Sequence, residues 1–236
     1  MKKIIHKADS RGYFDYGWLK TNHTFSFSNY YDPERVHYGM LRVLNDDFVA
    51  AGQGFGTHPH NDMEIVTIPL DGALAHKDST GSEGVIYPDE VQVMSAGMGI
   101  RHSEYNHLQD GASNFLQLWI FTDKKGHKPR YKQKIFDPEE RKNKFQVIVS
   151  PEKKDENLWL NQDAYLSLTD LEKKKSLDYK IHTKGNGVYL FLIEGEISVG
   201  NEVLSMRDGI GIWEIDEFSI TAHSDSEILL IEIPMV

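Results

Sequence analysis

The segment GFGTHPHNDMEI, residues 54–65, decides how the rest of the chain is interpreted. It contains the pair His58-x-His60, and a second pair, His102-x-Glu104, follows in the segment MGIRHSEYN at residues 98–106. Side chains two residues apart in a β-strand point to the same face of the sheet, with Cα atoms roughly 6–7 Å apart. On adjacent strands, the two pairs would therefore bring three imidazoles and one carboxylate into one interior.

These four side chains would form a complete ligand set for a first-row divalent transition metal, with coordination positions left for water or substrate. Glu64 shares the strand parity of the two histidines and competes with Glu104 for the carboxylate position. It lies roughly 13 Å along an extended strand from His60, so only a bend or bulge would bring it close. The sequence favours His58, His60, His102 and Glu104, with Glu64 as a reserve ligand or a neighbour of the ligands.

The residues around the first histidine pair suit a loop that delivers ligands to the mouth of a barrel. Glycines at positions 52, 54 and 56 allow the backbone to bend or to approach another group closely. Pro59 has no N–H group, which suits the start of a strand or the edge of a sheet. With 11 histidines in 236 residues, a chance pair is a real alternative. The other eight are interpreted as surface or structural residues: His6, His23, His37, His76, His107, His127, His182 and His223.

Short apolar runs separated by turn signals predict an all-β protein built as a sandwich or barrel. These runs are rich in Val, Ile, Leu and aromatic residues, and most are too short for helices. They are MLRVL (40–44), EIVTIPL (64–70), VQVMSA (91–96), FLQLWIF (115–121), FQVIVS (145–150), VYLFLI (188–193), GIGIW (209–213) and EILLIEI (227–233).

A weak internal repeat indicates two copies of one β-barrel unit. IPLDGALAHKD (68–78) resembles FLIEGEISVGN (191–201), since each has an apolar strand, an acidic residue, a glycine and a second strand. The charged stretch 123–144 fits a connection between the copies. We therefore expect an N-terminal metal-binding barrel at residues 1–135 and a C-terminal barrel without metal ligands at residues 136–236.

The repeat also predicts which half holds a metal. His58 and His60 lie 14 and 12 residues before Gly72, and counting back equally far from Gly195 reaches Ile181 and Thr183. The lone His182 between them would point to the other face of its strand. We therefore expect metal ligands in the N-terminal half alone.

Charge and composition narrow the function classes. A formal net charge of −10 and a pI of about 5.5 argue against direct binding to nucleic acid or to an anionic membrane. The sequence shows neither a leader-like apolar segment nor a membrane-spanning run, which predicts a soluble, cytoplasmic protein. Because the chain has no cysteine, only nitrogen and oxygen ligands can hold a metal.

The segments GWLKTNHTFSFSNYYDP (17–33), GFGTHPHNDMEI (54–65) and GMGIRHSEYN (97–106) resemble the pirin family of the cupin superfamily, in particular its bacterial quercetinase-like members. The likeness extends to residues 208–234 and so covers most of the chain. It implies a bicupin, an all-β protein of two antiparallel jelly-roll barrels, whose C-terminal barrel is degenerate. It also implies metal ligation by the four residues favoured above, whereas cupins in general would nominate Glu64.

The resemblance implies a metal-dependent dioxygenase like quercetin 2,3-dioxygenase, which cleaves a flavonol with O2 to a depside and carbon monoxide. In this hypothesis Glu104 acts as general base toward the substrate hydroxyl. The cofactor would be one divalent transition metal among Fe, Ni, Mn, Zn and Cu. Two alternatives stay open: a metal-containing regulatory protein that acts through a protein partner, and an isomerase or hydrolase that uses Zn(II) as a Lewis acid.

Overall fold

Each of the eight apolar runs of the sequence coincides with a β-strand, to within one residue at an end, in the computed structural model, which describes residues 1–235. In chain order, the first eleven strands are β1 Lys2–His6, β2 Gly12–Asp15, β3 Leu19–His23, β4 Leu41–Val49, β5 Gly54–His60, β6 Met63–Asp71, β7 Leu74–Asp78, β8 Glu83–Ile86, β9 Glu90–Ser95, β10 Ile100–Asn106 and β11 Ser113–Phe121.

The remaining strands belong mainly to the C-terminal half. They are β12 Arg130–Ile135, β13 Gln146–Ser150, β14 Leu158–Trp159, β15 Tyr165–Leu171, β16 Ser176–Lys180, β17 Asn186–Glu194, β18 Glu196–Val199, β19 Glu202–Ser205, β20 Gly209–Trp213, β21 Glu217–Ala222 and β22 Ser226–Pro234. The helices of residues 1–235 are two short 3-10 turns, Ala8–Ser10 and Pro138–Arg141. No helix in this part of the chain has the length and apolar character needed to cross a membrane.

Each half is a two-layer jelly roll. In the N-terminal half, a seven-stranded sheet of order β12-β9-β6-β11-β4-β3-β2 faces a four-stranded sheet of order β5-β10-β7-β8. The C-terminal half repeats this plan with β1-β20-β17-β22-β15-β13-β14 and β16-β21-β18-β19. The all-β bicupin prediction is confirmed, with sheets that form jelly rolls rather than closed barrels.

The two large sheets pack against each other, so their central strands are buried on both faces. Val66 and Leu118 on one sheet and Leu229 and Ile231 on the other belong to a single buried apolar cluster. On its opposite face, each large sheet packs against the small sheet of its own half. Since strand side chains alternate between faces, successive residues of β6, β11, β17 and β22 serve these two interiors in turn.

Two segments depart from the expected boundary between the halves. The stretch 123–144, predicted to be a connection, contains β12, which pairs with β9 at the edge of the large N-terminal sheet. The polar side chains of β12 suit an edge strand, and because of them the sequence does not show the apolar pattern of a strand there. Strand β1 pairs with β20, so residues 2–6 complete the sheet of the C-terminal half. The division at residues 135 and 136 stays a prediction.

Candidate metal centre

The two residue pairs lie on neighbouring antiparallel strands of the small N-terminal sheet. His102 on β10 is directly opposite His58 on the edge strand β5, and Ile100 is opposite His60. The ladder shifts register between His102 and Glu104, which is an irregularity of the kind that re-aims side chains near functional sites. Strand pairing alone therefore places both pairs at one end of the jelly-roll interior.

A glycine allows the two strands to approach closely. A Cβ atom built on Gly54 would lie 2.2 Å from the carbonyl oxygen of Glu104, closer than any real side chain can come. The close approach expected from the upstream glycines is thus present at this position.

Three imidazole rings converge at this site. The ring centroids of His58 and His102 are 4.4 Å apart, and His60 lies 4.8 Å from each of them. One ring nitrogen of each histidine lies within 4.8 Å of the corresponding atoms of the other two. His60 and His102 are buried, whereas His58 is half-buried on the edge strand.

The protonation of these rings fits metal binding. Burial, together with the neighbouring histidines, lowers the pKa of both His60 and His102 to about 3, so both rings are neutral at physiological pH. His58 donates its Nδ1 hydrogen to the carbonyl oxygen of Gly56 at 2.8 Å, so Nε2 is the ring nitrogen that can face a metal. The Nε2 atoms of His60 and His102 are buried without a hydrogen-bond partner. Neutral imidazoles with free nitrogens are the form that binds a metal.

Glu104 lies in the same interior, but it is grouped by distance with His102 and His76 rather than with His58 and His60. One of its carboxylate oxygens is within 4.8 Å of ring nitrogens of His102 and His76, and these three residues form a second compact group. Its Oε2 accepts a hydrogen bond of 2.9 Å from Nε2 of Gln117. The predicted four residues are therefore gathered in one interior as two groups that share His102.

His76 is the residue of the site that the sequence analysis placed among surface or structural histidines. It is buried on β7, directly opposite Glu104 in the ladder between β7 and β10. Its Nε2 lies 3.1 Å from Oδ2 of Asp78, and its Nδ1 lies 3.5 Å from Nδ1 of His102. The pair His76-x-Asp78 has the same spacing as the other two pairs, which is the signal that could have found it.

Glu64, the reserve carboxylate, faces the C-terminal half. It is buried on β6, where its Oε2 accepts a hydrogen bond of 2.7 Å from Ser95 and its Oε1 accepts one of 2.8 Å from Asn161. Two groups of residues in the described chain, 1–235, have donor atoms close enough to hold a metal ion, and neither group includes Glu64. In this structure Glu64 joins the two halves of the molecule.

The corresponding interior of the C-terminal half is apolar. In the ladder between β16 and β21, Phe218 is opposite Tyr179 at the place where His102 is opposite His58. Ile220 occupies the place of Glu104, and Val199 opposite it occupies that of His76. All four belong to the apolar core of that half.

The equivalences expected by counting residues were wrong by two positions. The strand ladder aligns His58 with Tyr179 rather than Ile181. The backbone hydrogen bond from Ile181 to Asp216 continues this alignment, so His60 corresponds to Ile181 rather than Thr183. The cause is the connection to the next strand, which spans residues 181–185 here against 61–62 in the N-terminal half. His182 lies in this connection, where Nδ1 is 2.9 Å from Oε2 of buried Glu232.

Comparisons with known proteins agree with this architecture. The pirin family model matches residues 5–120, and that of the quercetinase C-terminal cupin domain matches residues 147–233. A protein named quercetin 2,3-dioxygenase from Escherichia coli O157:H7 is 42% identical over 232 residues, which cover 98% of this chain and 99% of that protein. The chain belongs to the pirin family. A second member, a pirin-like protein from Caulobacter vibrioides, is 40% identical and covers 95% of this chain and 96% of its own.

A solved structure within the pirin family bears on the metal. The crystal structure of bacterial pirin YhhW from Escherichia coli in complex with nickel(II) is 40% identical to this chain. The two superimpose with a TM-score of 0.94, and the match covers 100% of both chains. This chain therefore shares its bicupin fold over its whole length with a solved member of the pirin family.

Proposed function

We propose that this pirin-family protein is a metal-dependent dioxygenase that cleaves a flavonol-type substrate with O2. In this proposal His58, His60, His102 and Glu104 hold one divalent transition metal in the N-terminal half, residues 1–135, and residues 136–236 supply none of its ligands. The observation that carries the proposal is the convergence of three imidazoles, two of which have a buried Nε2 atom without a hydrogen-bond partner. Relatives named quercetin 2,3-dioxygenase, aligned over nearly the whole chain, support the reaction class.

The donor atoms fit a first-row divalent metal. Imidazole nitrogens and a carboxylate suit Fe(II), Ni(II), Mn(II), Zn(II) or Cu(II), and the chain has no thiolate to offer. Nickel is the first metal to test, because a full-length relative has been crystallised with it. When bound, the metal would act as a Lewis acid that stabilises the ionised hydroxyl of the substrate.

Glu104 is placed to take the proton of that hydroxyl. Its Oε2 accepts the 2.9 Å hydrogen bond from the amide of Gln117, while the hydrogen bond from the Thr67 hydroxyl to Oε1 is longer, at 3.5 Å. Oε1, the oxygen with the more distant partner, is therefore the one that would take the proton. The amide of Gln117 keeps the carboxylate oriented in a buried site, as a general base requires.

Aromatic rings beside the ligands suit a flat aromatic substrate. The ring of Trp119 lies edge-on to His60 at 4.8 Å, and Phe27 packs edge-on to Trp119 at 5.2 Å. Rigid aromatic side chains with a few placed polar groups are typical of sites that bind small aromatic ligands.

The direct test is turnover of quercetin by protein loaded in turn with each of the five metals. We expect the flavonol absorbance to decay in air and to persist under anaerobic conditions, with carbon monoxide released. Decay that continues without oxygen would assign the site to Lewis-acid isomerase or hydrolase chemistry. No turnover with any metal would contradict the dioxygenase and favour a metal-containing regulatory protein.

Replacing Glu64 tests the choice of carboxylate. Because Glu64 bonds to Ser95 and Asn161, the variant Glu64→Gln should keep the metal content and the quercetin turnover of the native protein. Its thermal stability should fall, since an isosteric amide cannot accept both hydrogen bonds equally well. Elemental analysis and thermal unfolding measure the two effects. Loss of metal from this variant would restore Glu64 as a ligand.

A further inference from the structure

A chain of buried groups leads from a carboxylate to the back of one proposed metal ligand. Oδ2 of Asp78 lies 3.1 Å from Nε2 of His76, and Nδ1 of His76 lies 3.5 Å from Nδ1 of His102. The side chains of Asp78 and His76 are both 0% exposed, and His102 is buried as well. The remaining nitrogen of His102, Nε2, is buried and unpartnered.

The carboxylate at the start of this chain is firmly held. Oδ1 of Asp78 accepts hydrogen bonds from the backbone N–H of Thr80 at 2.8 Å, the Thr80 hydroxyl at 2.6 Å and the backbone N–H of Ser82 at 3.2 Å. Burial alone would raise the pKa of Asp78, but the hydrogen bonds from Thr80 and His76 lower it below its ordinary value. Asp78 is therefore an ionised acceptor with Oδ2 aimed at His76.

The direction of each proton follows from this acceptor. An ionised carboxylate can only accept, so Nε2 of His76 carries a hydrogen toward Asp78, and Nδ1 of His76 is the atom left to accept. The hydrogen bond of 3.5 Å between the two Nδ1 atoms then requires His102 to donate from Nδ1. That tautomer leaves the lone pair of His102 on Nε2.

We propose that Asp78 and His76 are positioning residues that hold His102 in the tautomer with a free Nε2, the form in which it can bind a metal. The inference rests on the proposed metal centre and adds two residues outside its four ligands. Metal-binding histidines commonly donate their second N–H to a carboxylate or carbonyl, which fixes the ring and its tautomer. Here a second histidine, itself oriented by a carboxylate, takes that role.

The sharpest test is Asp78→Asn, which keeps the shape of the side chain at position 78 but reverses the donor and acceptor roles along the chain to His102. The amide oxygen would stay with the three donors of Thr80 and Ser82, so the amide N–H would face Nε2 of His76. His76 must then accept at Nε2 and donate from Nδ1, which drives the proton of His102 to Nε2. We expect Ni(II) affinity, measured by chelator competition, to fall by roughly 10–100-fold. In the metal-free variant, ¹⁵N NMR should show His102 protonated on Nε2 instead of Nδ1.

Two substitutions of His76 separate positioning from ligation. In His76→Gln, the amide oxygen can accept from His102 while the amide N–H donates to Asp78, so we expect nickel affinity and the His102 tautomer close to native. In His76→Leu the acceptor is gone, and we expect the same loss, roughly 10–100-fold, as in the asparagine variant. Lys77→Gln is the matched control, because Lys77 lies between the two residues with a side chain 73% exposed; it should change neither readout.

Each outcome bears either on the Asp78–His76–His102 chain, here called the relay, or on the metal centre. Native nickel affinity in Asp78→Asn, with His102 still protonated on Nδ1, would overturn the relay. Equal weakening by His76→Gln and His76→Leu would overturn it too, because His76 would then be a ligand itself. If the native protein binds nickel no better than His58→Ala, the metal centre fails, and the NMR tautomers of the metal-free protein still judge the relay. Thermal unfolding of every variant confirms that the affinities compare folded proteins.

Discussion

Alanine at His58 should yield a folded protein that no longer retains its metal and no longer turns over quercetin. The side chain is half-buried on an edge strand, and its loss removes the hydrogen bond to Gly56 and the ring contacts with His60 and His102. Removing it leaves two imidazoles of the converging three. The loss of affinity should exceed the roughly 10–100-fold that follows when only a hydrogen-bond partner of a ligand is removed.

Metal content by elemental analysis and nickel affinity by chelator competition measure this effect. His107→Ala is the matched control, since it removes an exposed imidazole just beyond β10 and should leave both values unchanged. A His58→Ala protein that keeps its metal at native affinity would contradict the ligand assignment.

The core of the candidate site was accessible to sequence reasoning because strand parity is local. The spacing of His58 and His60, and of His102 and Glu104, places each pair on one face of its strand. The only further requirement is that the two strands be neighbours, and β5 and β10 are. The same reasoning applied to His76 and Asp78 would have placed a third pair in the interior.

Long-range register was not accessible. Counting from Gly195 led to Thr183 as the counterpart of His60, because the sequence does not reveal where one strand stops and the next begins. Strand β1 pairs with β20, about two hundred residues away in the chain, and no local pattern indicates such a partner. Contacts of this kind depend on the order of strands in the sheet, which is a property of the whole fold.

A row of polar side chains beneath the proposed ligands distinguishes the N-terminal half from the C-terminal half. Thr67, Gln92 and Gln117 are adjacent in the ladders of the large N-terminal sheet, with Gln117 bonded to Glu104. The equivalent row of the C-terminal sheet is Leu190, Ile210 and Leu230. Each polar residue interrupts an apolar run that the sequence analysis had assigned to a strand.

Burying a polar side chain costs free energy of folding unless the side chain forms hydrogen bonds. Three such residues side by side in one interior therefore indicate a functional site. The sequence shows the interruptions but not that they share a row, because β6, β9 and β11 are not consecutive in the chain. This is why the convergence of the proposed ligands could be predicted from the sequence, whereas the side chain that holds Glu104 could not.

Glutamine at Glu104 should reduce turnover of quercetin by about 10²–10⁴-fold at saturating metal, the usual contribution of a general base. The introduced amide matches the carboxylate in shape and can still accept from Gln117, but it cannot take a proton at neutral pH. Metal affinity should also fall, since Glu104 is proposed as a ligand. Titrating nickel until binding saturates, and then measuring kcat, separates the two roles.

Different results would contradict the two proposed roles of Glu104, as metal ligand and as general base. Full recovery of kcat at saturating nickel would make Glu104 a ligand without a role as base. Native nickel affinity with a low kcat would make it a base outside the metal's ligands, consistent with its absence from the compact group of His58, His60 and His102. The variant Glu64→Gln carries the same change at another buried carboxylate, on the side of the sheet that faces the C-terminal half, and should show neither effect. A comparable loss of kcat there would mean that the Glu104 result reports general damage to the large sheet rather than proton transfer.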